Sequence, residues 1–406
     1  MHQRLIVALI TVALLAFSAV AGLLVLRSGP SDPIAAAAQP FGHDLLRWEV
    51  RHLPGRWLYL VGQFLRGGSD GDDEAVIRRY FDLGQEVSRL QRLVAERDEA
   101  AAAELAEVRR QRQDLENRVE RIIEGRITSA VAAEGLTTSP PLFGGIDIVF
   151  PPVSTEFDGA PGVLIISPRD RISLDRLYLL RSGITVEEVL QLEAEAEATG
   201  VSALVDVTGG VASYPSVISD RSSYDRAVEL AAHEWIHQYL FFRPLGRRFF
   251  QSGEMRTINE TVANIAGREI AQLVRQRFSA AGESKAQAAP APTSDIDFSK
   301  EMHQLRLAVD DLLAQGKIEE AEALMEEKRR FLEEHGFYIR KINQAFFAFH
   351  GTYADTPASS SPIGPKVQQV RQRSSSVGEF VRTMAPIASL QGLDQLLAEL
   401  GAPTQP

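Results

Sequence analysis

The sequence predicts an α+β protein, mostly helical with a small mixed sheet, and three observations carry that reading. Short β-rich runs between Ile146 and Tyr214 are separated by Pro and Gly, whereas the chain from Ser223 onward keeps a helical period. Strands gathered in one stretch and helices in the next give α+β rather than alternating α/β. Upstream of both lie a long charged helix and, at the start, an apolar run of membrane-spanning length. The 406 residues are 45% hydrophobic and 24% charged, which argues against wholesale disorder and against a multi-span transporter.

Taken in order, residues 1–27 read as a transmembrane anchor. Leu5 to Leu26 is an uncharged run that would span roughly 33 Å at about 1.5 Å per residue. The alternative is a cleaved signal peptide ending at Ala19-Val20-Ala21, but its apolar region of about 7–15 residues would be shorter. The short tail before the span favours a single-pass protein of the cell membrane with its bulk extracytoplasmic. Residues 28–73 form a juxtamembrane linker and an amphipathic segment, with Trp48, Trp57, Tyr59 and Phe64 set among Arg47, Arg51, Arg56 and Arg66. That segment suits either a membrane interface or a face packed on the soluble domain.

Residues 74–133 read as a coiled-coil helix. Val87, Leu90, Val94 and Ala101 keep heptad spacing, and Leu105, Val108, Leu115, Val119 and Ile122 resume it after a four-residue phase shift. An intramolecular coiled coil and a homodimer both fit, although Arg97 and Arg112 at seam positions weaken a tight dimer. Residues 140–278 form a core with strands at Ile146–Phe150, Gly162–Ser167 and Val201–Val207, and a fourth within Gly209–Tyr214. Its helices lie at Ile184–Thr199, 223–242 and 255–278. Residues 279–296, rich in Ala, Pro, Ser, Gly and Gln, are a low-complexity loop. Residues 297–406 make a helical C-terminal subdomain, with helices at 297–315, 317–334 and 337–350, a loop at 355–365 and two closing helices.

Charge and composition exclude several functions. A net charge of −11 without a basic block gives no electrostatic grip on nucleic acid. Zero Cys excludes disulfides, thiolate zinc sites, iron–sulfur clusters and a cysteine nucleophile.

The chemistry concentrates on the helix from Ser223, which reads His233-Glu234-Trp235-Ile236-His237. His233 and His237 are i and i+4, so both rings project from one face and can chelate one cation, for which zinc is the natural candidate. Glu234 is turned about 100° around the axis, beside the metal, where it can take a proton from water attacking a carbonyl. Glu260, with 22 residues intervening after His237, allows the chain to turn and return antiparallel with a third ligand, and Ala263 one turn on permits close approach. Glu260 as a plain solvent-facing helix residue fits the spacing equally well.

His233-Glu-x-x-His237 followed by Asn259-Glu260-x-x-Ala263 resembles the gluzincin metallopeptidases, in which the second Glu is the third zinc ligand. The run from Asn259 through Gly267-Arg268-Glu269 is similar to a bacterial family described as predicted aminopeptidases. Asn343-Gln344-Ala345, running to Thr352-Tyr353, resembles a further element of that family with one change. The likeness covers roughly residues 200–355 and implies a zincin-like metallopeptidase domain acting on a peptide or protein substrate.

Tyr353 and His350, at a helix end before a loop, are candidates to stabilise the oxyanion, against plain packing for the first and solvent exposure for the second. Asn264, one turn after Glu260, is a candidate to support a ligand. The Val201–Tyr214 segment could be a sheet edge that receives an extended substrate, or a structural strand. The function expected is a membrane-anchored zinc peptidase. The rival is a non-catalytic anchored coiled-coil scaffold with a peptidase-like fold.

Overall fold

A computed structural model describes residues 32–43, 72–96, 98–139, 147–278 and 296–401. The expected anchor at 1–27, the aromatic–arginine segment after His43 and nearly all of the 279–296 loop lie outside the described residues. Among the described residues no helix is long and apolar enough to cross a membrane. The chain is mostly helical with two small sheets, so the α+β class holds.

The first described helix, α1 (Pro33–Ala38), falls where a linker is expected. Asp32 caps it, Pro33 pre-sets its first turn, and the Ala run has high helix propensity. Ile34 is buried in the core of the neighbouring sheet, which is why the segment packs there.

The expected single coiled-coil helix is two helices, α2 (Asp73–Ala95) and α3 (Glu99–Ala133). Asp98 breaks the run by accepting the N–H groups of Ala100 and Ala101, so the phase shift in the heptads marks a turn. The helices fold back antiparallel: Tyr80 hydroxyl donates to Glu116 and Arg118 pairs with Asp73. Leu83, Val87 and Leu90 close on Ala101, Leu105 and Val108. Arg112, at one of the seam positions that weaken a tight dimer, lies buried against the Tyr80 ring and bonds Asp220.

Where one small sheet is expected there are two, each of three strands. The strands are β1 (Thr155–Asp158), β2 (Gly162–Pro168) and β3 (Arg176–Leu180), then, after helix α4 (Val186–Glu197), β4 (Val201–Val207), β5 (Gly210–Val211) and β6 (Ser216–Ser219). One sheet is antiparallel in the order β3-β2-β4. The other is mixed in the order β1-β6-β5, with β1 parallel to β6. The strand expected at Ile146–Phe150 shrinks to one bridge between Thr138 and Ile148. Side chains close the outer edges: Glu120 and Glu124 of α3 accept the N–H groups of Phe157 and Thr155 on β1. Asn343 and Arg340 donate to the Ala203 and Val205 carbonyls of β4.

Three helices follow: α5 (Tyr224–Phe241), the short α6 (Pro244–Arg247) and α7 (Gly253–Phe278). The apolar faces of α5 and α7 join the second half of α3 in the largest core, around Trp235, Ile258 and Ile123. Then come α8 (Phe298–Ala314), α9 (Ile318–Glu334) and α10 (Gln344–His350). The last is shorter than the expected 337–350 helix because the Asn343 side chain caps it at Phe346. Three helices rather than two close the chain, α11 (Ile363–Arg373), α12 (Val377–Met384) and α13 (Leu390–Gly401), since Ser376 caps a new start after Arg373.

Candidate metal centre

Helix α5 begins where Ser223 accepts the N–H of Arg226. Its buried side is fixed by polar anchors: Trp235 Nε1 donates to the Pro151 carbonyl at 2.8 Å, and Gln238 Nε2 to the Ser213 carbonyl at 2.5 Å. Those anchors set the rotation of the helix, which turns His233 and His237 to the opposite face. The two Nε2 atoms stand 3.0 Å apart. Two nitrogen lone pairs that close repel unless a proton or a cation lies between them.

Helix α7 runs back against α5 and supplies a carboxylate at the same point. Glu260 Oε2 is 3.3 Å from His237 Nε2 and 3.6 Å from His233 Nε2. Buried as it is, Oε2 forms no hydrogen bond of good geometry. In a tetrahedral site with ligand bonds of about 2.0–2.1 Å, neighbouring ligand atoms are about 3.3 Å apart. The three separations of 3.0, 3.3 and 3.6 Å bracket that value. The donor set could therefore hold a divalent cation as the structure stands.

What brings the helices so close is Gly267 rather than Ala263 alone. A Cβ on Gly267 would sit 3.0 Å from N, Cα and Cβ of His233. Asn259, nearly fully buried, places Oδ1 2.7 Å from His237 Nδ1. With the amide oriented to accept from Nδ1–H, Nε2 is left as the donor atom facing Glu260.

Glu234 is also buried, and a carboxylate oxygen lies within 4.8 Å of the ligand nitrogens of both histidines. Burial is the main reason its carboxyl is held above the ordinary range. It rests against β5, since a Cβ on Gly210 would come within 2.8 Å of Glu234 Oε1. Burial alone would depress His237, yet the Glu260 and Glu234 carboxylates raise it to about 9. Glu260 moves the other way: burial pushes it up, but the two imidazoles bring it well below its usual value.

Compared with known proteins, the chain matches no protein-family model, no curated protein and no solved structure. The resemblance therefore rests on the motif residues themselves.

Of the other candidates, Tyr353 reaches the centre and His350 does not. The Tyr353 ring centroid is 6.1 Å from that of His233, and its phenol is raised well above the ordinary value by Glu260, by burial and by Glu234. His350 Nε2 is instead 3.0 Å from Asp206 on β4, and its ring contacts are Phe346 and Phe349. Asn264 supports no ligand: its amide donates to both oxygens of Asp355 at 3.0 Å, and Arg268 bonds the same carboxylate. With Ala354 N donating to Thr261 Oγ1 at 3.0 Å, those bonds tie the Tyr353 loop onto α7. Sequence reasoning missed Asp355. Its signal was proximity to the Thr352-Tyr353 element. The segment Gly267-Arg268-Glu269 also resolves into three jobs, since Glu269 receives a two-pronged bond from Arg371 of α11.

A cavity of about 1020 Å³ lies elsewhere, between the α2–α3 hairpin and residues 219–225, and is lined by none of His233, Glu234, His237 and Glu260. Convergent donor atoms locate the chemistry better than volume does.

Proposed function

We propose that this chain is a membrane-anchored, zinc-dependent peptidase of the gluzincin type, with a zincin-like core and Glu234 as general base. The observation that carries the reading is the convergence of Glu260 on two imidazoles whose Nε2 atoms already face one another at 3.0 Å. His233, His237 and Glu260 would hold the zinc. Zinc, when bound, supplies a Lewis acid that polarises a scissile carbonyl and acidifies water.

The chain's own groups supply the remaining functions. Glu234, buried beside the two histidines with its carboxyl raised mainly by burial, accepts the proton and returns it to the leaving amine. Tyr353, a phenol that stays protonated, donates a hydrogen bond to the oxygen on which charge develops. Within its sheet, β5 is the edge strand beside Glu234, while the opposite edge at β1 is closed by Glu120 and Glu124. An extended peptide adding to β5 would run past the base. The scaffold reading has less support, because the α2–α3 seam is filled by the hairpin itself.

Substituting Glu234→Gln tests the assignment. Zinc content, measured per chain, stays at that of the wild type while cleavage of peptides disappears. Unchanged cleavage in Glu234→Gln, or zinc retained in His237→Ala, rejects it.

A further inference from the structure

Arg256 lies one helical turn before Glu260 on α7, at a point where nothing in the ligand set needs a guanidinium. It is half-buried, yet its guanidinium makes no hydrogen bond or ion pair with any described residue. Glu260, one turn on, is turned to the two histidines and forms no ion pair with it. The Phe249 ring lies beside Arg256, with its centroid 5.9 Å from the Arg256 Cζ, and the Glu260 charge acts on the guanidinium without bonding it. That same ring stands edge-on to His237, with centroids 6.0 Å apart and planes at 85°. Phe250 follows at 4.7 Å from Phe249 and is 53% exposed, so the wall continues outward into solvent.

The Glu260 charge offsets part of the burial cost, but a half-buried guanidinium with no bonded partner remains a costly arrangement that an arriving anion would relieve. The surroundings are suited to one. Residues 243–256 carry Arg243, Arg247, Arg248 and Arg256 against a single Glu254, within a chain of net charge −11. Arg247 and Arg248, close to Phe249 in sequence, are exposed. The reach matches a peptide: the four-residue step from Arg256 to Glu260 rises about 6 Å along the axis, and an extended peptide advances about 3.3 Å per residue.

We infer that Arg256 and Phe249 form a substrate-binding subsite beside His237 that takes a peptide carboxylate one or two residues from the scissile bond. The carboxylate is either the peptide's C-terminus or an acidic side chain. It would accept the guanidinium's paired N–H groups while the neighbouring residue lies on Phe249 and Phe250. For its substrate class the inference rests on the peptidase reading, but the binding test below does not need turnover.

The test is titration calorimetry on the full-length, zinc-loaded Glu234→Gln chain. The probes are N-acetyl-Ala-Ala-Phe-Ala as free acid, the same peptide as its C-terminal amide, and two amides with Glu or Gln replacing the last Ala. The expected result is that the free acid or the Glu amide binds roughly ten- to a hundredfold more tightly than its neutral counterpart. Preference for the free acid identifies the terminal carboxylate; preference for Glu over Gln identifies an acidic side chain. Adding Arg256→Gln removes the discrimination, and Arg256→Lys keeps part of it, with zinc content unchanged in both. Equal binding of charged and neutral probes, no binding of either, or discrimination that survives Arg256→Gln overturns the inference. If wild type cleaves no peptide while the discrimination stands, the subsite survives and the peptidase reading fails.

Discussion

Asn259 Oδ1 lies 2.7 Å from His237 Nδ1, while Glu260, its neighbour in sequence, turns its carboxylate to Nε2 on the other side of the same ring. Two consecutive residues of α7 thus grip one imidazole from both ends. Removing the outer grip with Asn259→Ala frees the ring and its tautomer, and zinc affinity falls about 10- to 100-fold. Competition with a chromogenic chelator measures it. Affinity equal to wild type would show that packing alone orients the ring.

The same pair sets a pH dependence. His237 titrates at about 9 in the folded protein against an ordinary 6.5, so its proton stabilises the metal-free fold fully below about 6.5. That contribution fades as pH rises from 6.5 through about 9. The melting temperature of chelator-treated protein therefore drops across this window, whereas Glu260, held low, loses its own contribution only in acid. Zinc has to displace the His237 proton, so apparent zinc affinity climbs about tenfold per pH unit until pH 9. A flat affinity profile between pH 6.5 and 9 contradicts this.

Gly267 leaves no room for a side chain against the His233 backbone, which lies 3.0 Å from where its Cβ would be. Gly267→Val drives α7 away from α5 and costs about 1–3 kcal/mol through overpacking. Denaturant melts of the metal-free protein report the loss, and weaker zinc binding accompanies it as Glu260 recedes from the rings. Full stability in this variant would mean that the helix contact is softer than the distances indicate.

Asp355 holds the Tyr353 loop through Asn264 and Arg268. Tyr353→Phe removes the proposed oxyanion donor, and kcat falls about 10²-fold or more with zinc content and KM little changed. Asp355→Ala leaves Asn264 and Arg268 without their partner and reproduces part of that loss by misplacing the phenol. Peptide kinetics on both variants decide: an unaltered kcat in Tyr353→Phe removes the tyrosine from the reaction.

Much of the centre could be read from the chain because helical spacing is a local rule. Positions 233 and 237 share a face whatever surrounds them, and position 234 is turned aside by the same geometry. Heptads likewise marked α2 and α3, though the cap at Asp98 that makes them a hairpin was hidden inside a continuous charged pattern. The strands β1, β3 and β6 escaped notice because each is only four or five residues long, and β1 depends on carboxylates from α3 to satisfy its edge.

The sequence by itself determined the His-Glu-His arrangement, the α+β order of elements and the absence of cysteine chemistry, since each follows from local spacing or composition. Tertiary structure alone decided that Glu260 meets the imidazoles, that Tyr353 joins them, and that His350 goes to Asp206 instead. Those outcomes depend on how closely α7 can approach α5 and on which loop Asp355 ties down. Both are contacts between residues far apart in the chain, and no periodicity records them.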